Sequence, residues 1–166
     1  IYKKSHFMEN TAIILAAGYG NRLKELTSNP KSLLNVNGKS LLEWHINHLQ
    51  SLNFKKIIIV VGYKYQLIEK YVESFSNNIT IEYVRNKDYR SKGNGYSMYL
   101  GLLNTNIGDN ILVLDADLIY EHEVINKFMN DNQPDSVLVG KGTLEDVECA
   151  KALIDDKGFI RKTIDK

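Results

Sequence analysis

Short runs of apolar residues alternate with longer amphipathic segments along most of this chain. Runs that are continuous and rich in β-branched residues are typical of strands covered on both faces, and strict alternation is typical of half-buried strands. Five segments of these two kinds predict strands: Thr11–Leu15, Lys56–Val61, Ile79–Val84, Asn110–Leu114 and Ser136–Val139. Residues 151–154 and 159–164 predict a β-hairpin, because they flank an Asp-Asp-Lys-Gly turn signal.

Four segments have the spacing of apolar residues that predicts helices: Ser40–Leu52, Tyr65–Ser74, Tyr96–Leu103 and Glu121–Asn130. The first begins with Ser40 and Glu43, which have the spacing of a capping box. His45 and His48 are three residues apart on this helix without a third metal ligand nearby, which favours a surface or packing role over metal binding.

The order of these elements is that of an α/β protein. Strands alternating with helices predict a three-layer αβα, Rossmann-like fold with a mainly parallel sheet, followed here by the hairpin. Ligands of such folds bind beyond the carboxyl ends of the strands. A site is therefore expected in the loops after Leu15, Val84 and Leu114.

The composition of the chain restricts its domain count, its partners and its cellular setting. The chain has 166 residues and 43% hydrophobic residues, which fits one domain over residues 11–166 after a polar tail at 1–10, with Met8 as a candidate native start. Its 21 Lys and Arg against 20 Asp and Glu disfavour non-specific nucleic-acid binding. The single cysteine, Cys149, allows no intramolecular disulfide and favours the cytoplasm. No apolar run approaches the ~20 residues of a membrane span.

The loop after the first strand has the composition of a phosphate-binding loop. It reads, in order, Leu15, Ala16, Ala17, Gly18, Tyr19, Gly20, Asn21 and Arg22. Small residues let backbone N–H groups approach an anion, and the planar guanidinium of Arg22 suits phosphate oxygens. Pro30 and Lys31 follow, and Lys31 adds a compact positive charge.

Three other interpretations of this loop fit less well. A dinucleotide-binding loop would need a third glycine where Leu23 stands, and the string of a Walker P-loop is absent. A plain strand-to-helix turn explains the glycines but leaves Arg22, Pro30 and Lys31 without a reason.

The segment from Leu15 to Leu34 resembles the signature of a nucleotidyltransferase family. The signature joins an L-A-A-G-x-G-x-R loop to a Pro-Lys pair across seven residues, here 23–29. The family includes sugar-1-phosphate nucleotidyltransferases and the cytidylyltransferases for phosphocholine and inositol 1-phosphate. The resemblance extends from about Thr11 to Tyr120, and it implies binding of a nucleoside triphosphate by the loop and Lys31.

Two further segments match the family. Lys92–Ser97 is similar to its base-recognition loop, which implies nucleotide contacts from Gly93, Asn94 and Ser97. By itself the string fits a tight turn before a helix better than it fits a binding loop. Asp117 stands where the family has a metal-binding aspartate, and the resemblance implies Mg²⁺ as cofactor. Alternation points Asp115 to the same side, as a helper ligand acting through water.

The resemblance implies transfer of a nucleoside monophosphate from an NTP to a phosphorylated small molecule, with release of pyrophosphate and with Arg22 and Lys31 as catalytic residues. The Lys92–Ser97 string is most similar to enzymes that use CTP, with phosphocholine or inositol 1-phosphate as acceptor. Alternatives are a sugar-1-phosphate uridylyl- or thymidylyltransferase and a non-catalytic nucleotide-binding regulatory module. Because family domains are commonly longer, we expect either a fragment or a reduced acceptor-binding half.

Overall fold

The computed structural model of the chain describes residues 10–20, 28–75, 78–106, 108–131, 135–140 and 151–164. The chain divides into two compact units, Ile1–Asn126 and Lys127–Lys166. Its elements, in chain order, are β1 (Asn10–Ala16), a 3-10 helix (Lys31–Leu33), β2 (Asn35–Val36), β3 (Lys39–Ser40), α1 (Leu41–Ser51), β4 (Lys56–Val61), α2 (Tyr65–Glu73), β5 (Thr80–Arg85), α3 (Asn94–Leu102), β6 (Asn110–Asp115), α4 (His122–Met129), β7 (Lys151–Ile154) and β8 (Ile160–Ile164).

A parallel four-stranded sheet forms the centre of the first unit, in the order β5-β4-β1-β6. Because parallel crossovers are right-handed, the chain places α1 and α2 on one face and α3 on the other, where it packs on β1 and β4. Strands β1 and β4 are buried on both faces, and Ile13, Ile14, Ile58 and Ile59 have no exposed surface. The predicted three-layer α/β fold is thus confirmed.

The predicted capping box at the start of α1 is present, with an added partner. Ser40 Oγ accepts a hydrogen bond from the Glu43 N–H at 3.0 Å. The Glu43 carboxylate accepts from the Tyr71 hydroxyl at 2.8 Å, and that hydroxyl oxygen accepts from the Ser40 N–H at 3.3 Å. Tyr71 therefore completes the cap and ties α2 to the start of α1.

Helix α3 lies so close to the sheet that only glycine fits at its contact point. A Cβ on Gly101 would stand 2.6 Å from Ile13 Cγ2 and 3.2 Å from Val60 Cγ2. Gly95 is on the same helix, but a Cβ there would have no atom within 4 Å. Packing therefore requires glycine at position 101 but not at position 95.

Gly101→Ala is expected to lower the free energy of unfolding by about 1–2 kcal/mol. Overpacking of a core costs about 1–3 kcal/mol, and the better helix propensity of alanine returns at most about 1 kcal/mol. Gly95→Ala is the matched control, and its stability should be unchanged or higher. Urea unfolding of both variants tests this, and equal stabilities of the two would contradict the packing argument.

The structure adds a 3-10 helix and a short β-hairpin to the predicted elements and lacks one predicted strand. The β2–β3 hairpin turns at Asn37 and Gly38, whose φ angles of 52° and 86° suit a two-residue turn. The predicted strand Ser136–Val139 was wrong, because residues 136–140 form no strand and Val137 is 67% exposed. High β-propensity does not make a strand without a hydrogen-bonded neighbour.

The second unit contains the predicted hairpin, formed by the antiparallel strands β7 and β8. Its turn is organised by Asp155, whose carboxylate accepts from the N–H groups of Lys157 and Phe159 and from the Arg161 guanidinium. Over the residues that the structure describes, no helix has the length and apolar character needed to cross a bilayer.

Candidate nucleotide-binding site

The predicted site segments meet at the carboxyl edge of the sheet. Strands β1 and β6 are adjacent and in register, with Leu15 opposite Asp115. The pairing continues past the strand end, where the Ala116 N–H donates to the Leu15 carbonyl at 3.2 Å. The glycine loop after β1 and the acidic segment after β6 therefore start side by side.

Lys31 connects these two segments. Its ammonium lies 3.1 Å from Asp117 Oδ2, and the two residues are 86 positions apart in sequence. Its aliphatic stem passes the glycine loop, because a Cβ on Gly20 would lie 3.1 Å from Lys31 Cγ. Gly20 also has φ of +65°, which favours glycine. The sequence signature thus brings a cation and a carboxylate together beside the loop.

Asp115 has a separate partner on α3. The Asn94 amide donates to Asp115 Oδ1 at 3.1 Å. Burial raises the pKa of the Asp115 carboxyl, and the neighbouring Asp117 carboxylate raises it further. Helix α3 begins at Asn94, two residues earlier than predicted, so Asn94 and Gly95 lie in its first turn rather than in the preceding loop.

Three glycines beside this edge face open space. A Cβ on Gly18, Gly93 or Gly95 would meet no atom within 4 Å, and none of the three has a positive φ. Neither packing nor backbone conformation therefore requires glycine at these positions. Close approach of a ligand to the backbone is a physical reason that remains.

A tyrosine cluster, which the sequence analysis missed, joins three of the loops at this edge. Tyr19 and Tyr63 meet edge to face with ring centroids 4.5 Å apart, and Tyr89 lies 6.5 Å from Tyr19. Arg90 stands 5.3 Å over the Tyr19 ring. A Cβ on Gly62 would clash with the Ala17 carbonyl at 2.7 Å. These contacts hold the glycine loop against the loops after β4 and β5.

Ser97 faces the protein interior. It is 3% exposed, and its hydroxyl accepts a hydrogen bond from the buried Asn86 amide at 2.9 Å. Asn86 also accepts from the Asp88 N–H at 2.9 Å, so it orders the loop between β5 and α3. The sequence gives no signal for Asn86, because its role depends on a partner eleven residues away. A nucleotide contact from Ser97 stays a prediction.

His45 is buried beside the acidic segment. Its Nδ1 lies 2.8 Å from the Tyr120 hydroxyl oxygen, in keeping with the predicted packing role. The pKa of His45 is lowered to about 4, mainly by burial and also by nearby His48, and the Ala116 backbone and Asp117 offset part of this shift. A cavity of about 320 Å³ adjoins these side chains and is lined by aromatic groups, including Trp44.

The donor set of this edge fits Mg²⁺ only in part. Among the described residues no group of three or more His, Cys, Asp or Glu side chains is arranged to hold a metal ion. Mg²⁺ is commonly held by one or two carboxylates with substrate phosphates, however, and this edge has the carboxylates of Asp115 and Asp117, the latter in contact with the Lys31 ammonium. Two other predicted site residues, Asn21 and Arg22, lie outside the described residues.

The chain is similar to several known nucleotidyltransferases. It is 41% identical over 123 residues to the bifunctional IPC transferase and DIPP synthase of Aquifex aeolicus, covering 72% of this chain and 27% of that protein. It is 38% identical over 121 residues to the choline-phosphate cytidylyltransferase of Streptococcus pneumoniae, covering 72% and 48%. The chain thus spans about half or less of these curated relatives.

A solved structure supports the fold over nearly the whole chain. The inositol-1-phosphate CTP transferase of T. maritima superimposes with a TM-score of 0.71 at 20% identity, covering 95% of this chain and 64% of that protein. The family model for the MobA-like NTP transferase domain matches residues 12–149. With these matches added to the loop and strand-edge geometry, the chain belongs to the MobA-like NTP transferase domain family.

Proposed function

We propose that this chain carries the nucleotide-binding and catalytic residues of a Mg²⁺-dependent cytidylyltransferase. The reaction transfers CMP from CTP to a phosphorylated alcohol such as phosphocholine or inositol 1-phosphate and releases pyrophosphate.

One observation carries the proposal, the contact between Lys31 and Asp117 beside Gly20. An exposed lysine–aspartate pair contributes little to stability, about 0–1 kcal/mol. Its position gives it another use, because it sets a positive and a negative group next to a loop in which Gly18 faces open space. A triphosphate needs such cationic groups for its oxygens, and a metal ion needs the carboxylate.

The chemistry requires positioning and neutralisation of charge rather than a covalent nucleophile. An oxygen of the acceptor phosphate forms a bond to the α-phosphorus of CTP, and the bond from that phosphorus to the bridging α–β oxygen breaks. Residues 16–21 cradle the triphosphate with backbone N–H groups. Lys31 neutralises charge at the α-phosphate and the incoming acceptor, and Arg22 stabilises the departing pyrophosphate.

Asp117 is the residue that would hold Mg²⁺, and it lies two residues after Asp115, the last residue of β6. A bound Mg²⁺ supplies further neutralisation of the triphosphate. The Lys31 ammonium contacts the same Asp117 carboxylate.

Support for CTP and for a phospho-alcohol acceptor comes from the relatives. Choline-phosphate cytidylyltransferase is named for this reaction type, and the Lys92–Ser97 segment that suggested CTP in the sequence contains Gly93 and Asn94 at the edge of the sheet. A uridylyl- or thymidylyltransferase for sugar 1-phosphates shares the same loop and remains the second candidate.

Thermal unfolding with CTP, UTP, GTP, ATP and dTTP, each with and without Mg²⁺, tests the choice of nucleotide. A ligand at ~100 times its dissociation constant adds ~2.7 kcal/mol to folding, which corresponds to a rise of about 5–10 °C in Tm for a domain of this size. We expect this rise with CTP and Mg²⁺ only.

The other outcomes separate the alternatives. A rise with UTP or dTTP in place of CTP would indicate activation of sugar phosphates, and no rise with any nucleotide would overturn the proposal for this chain. Pyrophosphate release with CTP and phosphocholine or inositol 1-phosphate distinguishes an enzyme from a regulatory module, which would bind CTP without turnover.

A further inference from the structure

A second cavity lies between the end of β6 and the first turn of α3. It has a volume of about 250 Å³ and is lined by Leu15, Asn94, Gly95, Met98, Val113 and Asp115. Its walls are apolar except for the amide and the carboxylate, which are hydrogen-bonded to each other. A pocket with apolar walls and a few convergent polar groups is the usual form of a small-molecule site.

The two aspartates of this edge face different partners. Asp117 contacts the cation Lys31 beside the glycine loop, whereas Asp115 contacts the neutral Asn94 amide in the cavity. Val113 and Asp115 are two residues apart in β6 and so lie on the same side of the sheet, with Leu15 directly opposite Asp115 in β1. Asp115 is therefore built into the cavity wall.

Starting from the proposed function, we infer that Asp115 binds the ribose hydroxyls of the nucleotide and makes the site selective for ribonucleotides over 2′-deoxyribonucleotides. The inference names a specificity-determining role for Asp115 in place of a supporting role at the metal.

The hydrogen-bonding groups of Asp115 and Asn94 fit a ribose diol. An ionised carboxylate only accepts hydrogen bonds, and the two hydroxyls of a ribose are donors. The hydrogen bond from Asn94 fixes the orientation of the carboxylate and leaves the Asn94 amide oxygen as a further acceptor. Open space beside Gly95 lets the sugar approach the first turn of α3. A 2′-deoxyribose would leave this desolvated carboxylate one donor short, which costs affinity.

The test compares the affinities of CTP, 2′-deoxy-CTP and 3′-deoxy-CTP, measured by calorimetry in Mg²⁺ and again in EDTA. The proteins are the unchanged chain, Asp115→Asn, Asp115→Ala and Asp117→Asn. We expect the unchanged chain to bind CTP about tenfold or more tightly than 2′-deoxy-CTP, the scale of one hydrogen bond to a charged group. In both Asp115 variants this ratio should fall to within about threefold, because CTP loses two hydroxyl contacts and 2′-deoxy-CTP loses only one.

A larger loss of affinity for CTP than for the two deoxynucleotides separates this role from the other two. Damage to the fold would weaken all three nucleotides by a similar factor, and a metal-binding role would do so in Mg²⁺ but not in EDTA. In Asp117→Asn the ratio of CTP to 2′-deoxy-CTP should stay at its original value. Equal binding of the two nucleotides by the unchanged chain would overturn the inference and leave the proposed function standing; no binding of either would overturn both.

Discussion

Replacing Lys31 with methionine is expected to lower the rate of pyrophosphate release by about a hundredfold. Methionine keeps most of the aliphatic stem that packs beside Gly20 and removes the ammonium that contacts Asp117. Loss of one donor that stabilises charge in a transition state typically costs ~10²–10³ in turnover. The measurement is pyrophosphate release with CTP, Mg²⁺ and the acceptor at saturating concentrations.

Two controls test whether the loss of turnover is specific to the Lys31 ammonium. The Lys31 and Asp117 side chains are 32% and 44% exposed, so the free energy of unfolding should change by no more than about 1 kcal/mol. Lys39→Met removes a lysine whose ammonium is 4.0 Å from Glu43 and 5.3 Å over the Trp44 ring, and it should leave turnover near normal. Near-normal turnover of Lys31→Met would refute the catalytic assignment of Lys31.

The strands and helices were predictable where local pattern and tertiary burial agree. The apolar runs of β1 and β4 are buried because the centre of the parallel sheet is covered on both faces, and the start of α1 follows from its capping box. The Asn37-Gly38 pair is a local hairpin signal that the sequence analysis overlooked. The strand predicted at Ser136–Val139 is absent, because a strand requires a hydrogen-bonded neighbour and β-propensity alone does not provide one.

The residues of the candidate site were predictable only where a motif marked them. The Lys31–Asp117 contact joins residues 86 positions apart, and the family resemblance covers both of them in separate segments. The contacts Asn86–Ser97 and His45–Tyr120 have no such signature, because each depends on how α3 or α1 packs against a loop. Hydrophobic periodicity predicts which face of a helix is buried, but it does not predict the polar partner found there.

Between pH 7 and pH 4, His45 is expected to lower the free energy of unfolding by about 3 kcal/mol. His45→Gln should abolish this decrease. His45 has a pKa of about 4 in the folded chain and an ordinary value of 6.5, because burial disfavours the imidazolium. The unfolded chain therefore binds a proton that the folded chain does not. The contribution of neutral His45 to stability is fully present above pH 6.5 and is lost as the pH falls towards 4.

The difference in urea-unfolding free energy between the two proteins, measured at pH 7, 6, 5 and 4, isolates this effect from the carboxylates that both contain. Below pH 6.5, the unfolding free energy of His45→Gln should rise relative to that of the unchanged chain by about 1.4 kcal/mol per pH unit. His48→Gln is the control, since His48 is less buried and the pKa of its imidazole, though lowered, is not lowered so far. A pH-independent difference for His45→Gln would mean that the buried imidazole accepts a proton without cost.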